Sequence, residues 1–224
     1  MRTFFCCSGT QSDLSMLVPS GLLVPPRILY LADVPVEASH HGSTLLHRLF
    51  EGYPKDRLRI IESDLLVSQP VRRLPGVTYG SLETGRRRWL NSRLHGPYTA
   101  WLSWTAPARA HRARALLAGF QPEAVMTVAH GFGWLTAASL AQDLRVPLYL
   151  IVHDDWPRIA GIAPILRGWL DRRFATVYRQ AFIRWCVSPS MVEEYERRYD
   201  VAGLVLYPSR SRFEALTVSA ACGG

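Results

Sequence analysis

The chain has 224 residues, 48% of them hydrophobic and 20% charged, which allows one well-buried α/β domain and leaves little room for two of ordinary size. That composition excludes a disordered chain, and no apolar run approaches the roughly 20 residues of a membrane-spanning helix. The formal net charge of +8 rests almost wholly on arginine, Lys55 being the single lysine, and points to an anionic partner only where the arginines gather.

In chain order, residues 1–26 read as an irregular arm that runs into Pro19, Gly21, Pro25 and Pro26. Asp13 and several serines interrupt it, so it suits neither a signal peptide nor a span. Arg27–Ala32 is the first expected strand. Ser43–Glu51 follows as a helix with Leu45, Leu46, Leu49 and Phe50 on one face, stopped by Gly52-Tyr53-Pro54. Arg57–Glu62 is a second strand, after which Pro70, Pro75 and Gly76 mark a loop with a short strand near Val77. Interrupted helices then follow, with breaks expected at Gly96-Pro97 and Pro107, and residues 109–119 form a further helix. Ala124–Ala129 and Pro147–Val152 are short β-branched runs on either side of an amphipathic Trp134–Leu144, which makes a βαβ unit. Pro164 opens a helix with Leu166, Leu170, Phe174, Val177 and Ala181 along one stripe, and Ile183–Val187 is the next strand. Ser190 with Glu193 reads as a capping box, reinforced by Glu193–Arg197 and Glu194–Arg198 pairs. Leu204–Leu206 is a last short strand before an irregular tail over 209–224. The order predicts an α/β fold over residues 27–208, a Rossmann-like, mostly parallel sheet with helices on both faces.

Candidate chemistry sits where strands end, because open parallel sheets bind ligands beyond their C-terminal edge. Gly42 lies at the turn from the first strand into its helix, where a backbone amide can approach a phosphate or a sugar hydroxyl. A glycine that only permits the turn is the alternative. His40 and His41 precede it and can reach into a cleft or stay in solvent. His153 ends a buried strand, and Asp154 can orient its ring, leaving the other nitrogen for a substrate hydroxyl. His130, in the His130-Gly131 turn, ends the preceding strand; a histidine satisfied by backbone groups remains the alternative for both. Asp155 is read as a cap for the segment that begins at Trp156. No metal is expected, since His130, His153, Asp154 and Asp155 lack HxH or HExxH spacing. Neither GxSxG, GxGxxG nor a P-loop occurs, and no cofactor is expected.

Between Thr84 and Pro122 there is no acidic residue, while Arg86, Arg87, Arg88, Arg93, Arg109, Arg112 and Arg114 stand among Trp89, Tyr98, Trp101, Trp104 and Phe120. Such a segment suits an anionic membrane surface. A solvated helical face and a nucleic-acid surface are the alternatives, the latter without any recognised module to support it. Cys6, Cys7, Cys186 and Cys222 form no CxxC pair, which fits a reducing cytoplasm, with the protein soluble or peripheral to the membrane.

Several of these segments share a family pattern. A strand ending in Ala129-His130-Gly131, then a helix, then VPLYLIVHD (Val146–Asp154) resembles the acceptor-side half of GT-B glycosyltransferases of the family 4 type. RILYLADVP (Arg27–Pro35) with HHGSTLLHRLF (His40–Phe50), CVSPSMVEEYERRYD (Cys186–Asp200) and GLVLYP (Gly203–Pro208) agree with it. The resemblance implies transfer of a sugar from a nucleotide-sugar to an acceptor hydroxyl, with retention of anomeric configuration. It places His153 and Asp154 beside the reacting sugar in a positioning or electrostatic role, and His41, Gly42, His130 and Gly131 on the substrate-binding walls. Relatives commonly carry two glycines where this chain has His41-Gly42. The resemblance also implies a second, donor-binding domain with two glutamates eight positions apart, a spacing this chain lacks. The expectation is therefore one half of a GT-B fold, inactive in sugar transfer by itself. A non-catalytic module that docks a partner protein or an anionic membrane is the other reading.

Overall fold

The computed structural model describes residues 24–39, 41–85, 87–90, 92–160, 162 and 164–207. The tail over 209–224 and all but three residues of the expected arm lie outside that set. Seven strands pair in one sheet: β1 (Ile28–Ala32), β2 (Leu58–Ser63), β3 (Thr78–Leu82), β4 (Ala124–Val128), β5 (Leu148–Val152), β6 (Ile183–Cys186) and β7 (Leu204–Val205). Every pairing is parallel and the order is β3-β2-β1-β4-β5-β6-β7. The strand expected near Val77 is thus β3. Chain order reverses between β1 and β4, and the crevice of a doubly wound sheet opens at such a switch, beyond the strand C-termini.

The central strands β1, β4 and β5 are almost wholly apolar because both of their faces are covered. β1 shows how. Leu29 and Leu31 join a core made with α2 (His95–Trp104), α3 (Ala106–Ala115), α4 (Gly133–Leu144), α6 (Pro164–Gln180) and α7 (Pro189–Tyr199). Ile28, Tyr30 and Ala32 face the other way, onto Leu46 and Phe50 of α1 (His41–Glu51). The alternation follows from side chains pointing to opposite faces of a strand. α1 therefore packs on the second face, and helices flank both.

Three local expectations change. Gly96-Pro97 begins α2 instead of breaking a helix, since proline is tolerated in a first turn whose amides have no internal partner. The helix expected over 109–119 ends at Ala115, and Ala118 and Gly119, with φ of 45° and 83°, turn the chain back toward β4. The cap of α7 is Ser188, whose Oγ accepts from Met191 N at 3.2 Å, not Ser190, because Pro189 occupies the first helical position. Consistently, Arg197 Nε donates to Glu194 at 3.0 Å and not to Glu193, while the Glu194–Arg198 pair forms as expected at 2.6 Å.

Candidate functional site

β4 and β5 are neighbours, so the residues that leave their C-terminal ends leave side by side. His130 and His153 stack with ring centroids 5.2 Å apart and planes 16° apart. Asp154 lies between their inner nitrogens, its Oδ2 3.2 Å from His130 Nδ1 and 2.9 Å from His153 Nδ1. A carboxylate can only accept, so the arrangement is satisfied when both Nδ1 atoms carry hydrogen. Burial pushes the His153 pKa down, against the opposing pull of Asp154, which keeps the ring neutral near pH 7. Its Nε2 is buried, without a hydrogen-bond partner, and points toward the start of α1, 3.8 Å from the point a Cβ on Gly42 would occupy. The result is a positioned acceptor for a hydroxyl proton.

A cleft of about 350 Å³ separates this pair from the chain that follows β1. Val34, Pro35, Gly42, Ser43 and Leu66 line one side and His130, His153 and Asp154 the other. Gly42, His130, His153 and Asp154 are thus brought together at the switch point. His41 opens α1, but its side chain lies outside the described residues, as does all of His40. Gly131 is not on the lining. It adopts φ +64°, and a Cβ there would collide with the carboxylate of Asp33.

Asp33 was not singled out by sequence, and it shapes the site. It is 4% exposed just past β1, and its Oδ2 accepts from the amides of Phe132 at 2.6 Å and Gly133 at 2.8 Å. Those are orphan donors at the start of α4, where a negative charge is favoured by the helix dipole. A Cβ on Gly133 would stand 2.8 Å from the Asp33 amide, so glycines at 131 and 133 let the two loops touch. Behind Asp33, Arg109 is 1% exposed, donating to Thr136 and Thr105 at 3.1 and 2.8 Å. Burial lowers its pKa to about 10, and the Asp33 charge opposes that shift. The only sequence signal for Asp33 was an acid directly after an apolar strand.

Asp155 does not cap α5 (Trp156–Ile159) with its side chain. It accepts from Arg198 Nη1 and Nη2 at 2.8 and 2.6 Å, and these bonds hold its carboxyl below the usual carboxylate range. The ion pair ties the His153-Asp154-Asp155 corner to α7. Trp156 leans on His130 from outside the cleft, 4.8 Å between centroids.

His130, His153 and Asp154 are also of metal-ligand type, with donor atoms within 4.8 Å of one another. In the arrangement seen here both Nδ1 atoms are engaged by the Asp154 carboxylate.

The polar pair at the switch point of a parallel sheet bears on family. Residues 72–208, more than half of the chain, match Glycosyltransferase Family 4. The chain belongs to that family. The match takes in His130, Gly131, His153 and Asp154, and leaves β1, His41, Gly42 and Asp33 outside it. Among curated proteins none matches the chain. The glycosyltransferase-like domain is Rossmann-like, and among the described residues no helix is long and apolar enough to cross a membrane.

Proposed function

We propose that this family 4 domain is the acceptor-side half of a sugar-transfer site. The observation that carries the reading is the His130–Asp154–His153 arrangement facing the start of α1 across the cleft. An acceptor hydroxyl donates to His153 Nε2, which orients its oxygen toward the anomeric carbon of a nucleotide-sugar. The bond from that carbon to the diphosphate breaks, the bond to the acceptor oxygen forms, and the hydroxyl proton, taken up at His153 Nε2, is passed on to the departing diphosphate. Gly42 and Ser43, at the positive end of α1, approach the donor phosphates or the acceptor from the opposite wall. Groups that neutralise the departing diphosphate belong to a donor-binding domain, a contact of a kind that contributes about 3–4 kcal/mol to transfer.

Two measurements test this. The His153 Cε1–H resonance should move when glycosides bearing free hydroxyls are titrated into the purified chain, and should not move in Asp154→Asn. The same chain incubated with a panel of nucleotide-sugars should transfer none. Robust His153-dependent turnover would show that the chain holds a complete site, and silence of both histidine resonances to every glycoside would remove the acceptor-side role.

A further inference from the structure

Residues 64–104 carry apolar surface that the fold leaves open. Trp89, Leu94, Pro97 and Trp101 surround a hollow of about 210 Å³. Tyr98 lies beneath them, edge-on to Trp89 at 5.4 Å and stacked on Trp101 at 5.7 Å. Trp101 is 44% exposed, Leu94 53%, and Trp104, one turn further along α2, 67%. Clustered exposure of this kind marks an interaction surface. Its chemistry narrows the partner. Arg88 and Arg93 stand exposed beside Trp89 and Leu94, and no acidic residue occurs between Thr84 and Pro122 to oppose them. Indole rings with cations beside them fit the headgroup layer of an anionic bilayer. Burial removes Arg109 from this surface, which therefore rests on fewer cations than the sequence implied.

The same face is joined to the cleft. Asp64, just past β2, accepts from the amides of Thr84 at 2.7 Å and Gly85 at 3.3 Å, and Gly85 packs directly on the Tyr98 ring. Two residues on from Asp64, Leu66 lines the cleft opposite the histidines, and Leu66 and Val67 are 36% and 50% exposed. With Val34 and Pro35, Leu66 makes that side of the cleft apolar. One short loop thus connects the mouth of the cleft to the aromatic face.

We propose that this face docks on an anionic lipid surface and that the acceptor is an amphiphile held in that surface. Its hydroxyl reaches His153 Nε2 past Leu66, and its apolar part rests against Val34, Pro35 and Leu66. Docking stands on the face alone; the identity of the acceptor rests on the acceptor-side reading above. Flotation of the full chain with phosphatidylcholine–phosphatidylglycerol vesicles should show binding that pure phosphatidylcholine does not support. Binding should collapse in 1 M salt, where the Debye length is about 3 Å. Arg88→Gln and Arg93→Gln should each weaken it about fivefold, the equivalent of about 1 kcal/mol per basic residue near the surface. Trp104→Ser and Leu94→Ser should weaken it with the melting temperature unchanged, because both side chains are mostly in water. Equal binding to neutral and anionic vesicles, no binding, or binding untouched by these substitutions overturns the docking. For the acceptor, octyl glucoside below its micelle concentration should shift the His153 resonance at concentrations where glucose does not. Equal responses to the two would overturn the amphiphile and leave the acceptor-side reading standing. Silence to both would overturn the acceptor assignment together with that reading, whatever the vesicles show.

Discussion

The two walls of the cleft are built by different physics. The wall after β1 consists of backbone and short or apolar side chains: Val34, Pro35, Gly42 and Ser43, with α1 presenting its first amides. The wall after β4 and β5 consists of polar groups fixed through carboxylates. Asp154 sits between the histidines, Asp33 holds the 132–133 amides, and Asp155 is clamped by Arg198. A wall of backbone tolerates a changed side chain until something fills the space. A wall of networked side chains loses its geometry when one carboxylate goes, because the groups left behind are buried and unpaired.

That contrast can be broken most severely at Asp33. Asp33→Ala leaves the buried amides of Phe132 and Gly133 without their acceptor, and should cost about 1–3 kcal/mol for each in urea unfolding of the chain. Asp33→Asn, which keeps an acceptor, should cost clearly less. Gly131→Ala attacks the same contact from the other loop, through both its left-handed φ and its collision with Asp33, and should cost about 1–3 kcal/mol. If it proved neutral, the two loops would not be locked as described.

Arg198→Met should destabilise less, since the ion pair it removes is partly open to water. Its signature is electrostatic: the Asp155 carboxyl should return upward toward its ordinary value, read by carbon-detected NMR titration. For His153 the sign runs with burial. Its folded-state pKa lies below the ordinary 6.5, so the unfolded chain takes up the proton first as pH falls. Stability should therefore decline as pH drops below 6.5 until the lowered folded-state value is passed. His153→Gln should flatten that decline only in part, because His47 is also lowered by burial. The smallest effect on stability is expected on the backbone wall. Gly42 has no positive φ, and a Cβ there would meet its nearest neighbour at an ordinary 3.7 Å. Gly42→Ala should stay within about 1 kcal/mol of the parent, with alanine favoured in a helix, yet blunt the His153 response to glycosides by occupying the cleft.

Sequence reading reached the histidine wall because a parallel strand that ends in a polar residue announces itself: apolar runs stop at His130 and at His153, and neighbouring strands put their ends together. The partner of those histidines was half visible. Asp154 adjoins His153 in sequence, but its reach to His130 depends on β4 and β5 being adjacent, which no local pattern states. Asp155 shows the reverse case. Placed directly before a helical turn it looked like a cap, and instead it is drawn to Arg198, 43 positions away. In the basic segment the limit is of a third kind, since charge along the chain does not reveal that Arg109 turns inward while Trp101 and Trp104 turn out.

What the sequence determined by itself is whatever is set by nearest neighbours and periodicity. That includes the strand and helix order, the parallel sheet implied by alternating β and α units, the family pattern around His130 and His153, and the breaks made by proline and glycine. Tertiary structure decided the strand order, and with it the crevice between β1 and β4. It also decided the burial of Asp33 against the start of α4 and of Arg109 against Thr136, and the loop that joins the aromatic face to the cleft. These depend on contacts between residues up to about a hundred positions apart, such as Asp33 with Gly133, whose energies come from desolvation and close packing that exist only once the chain has folded.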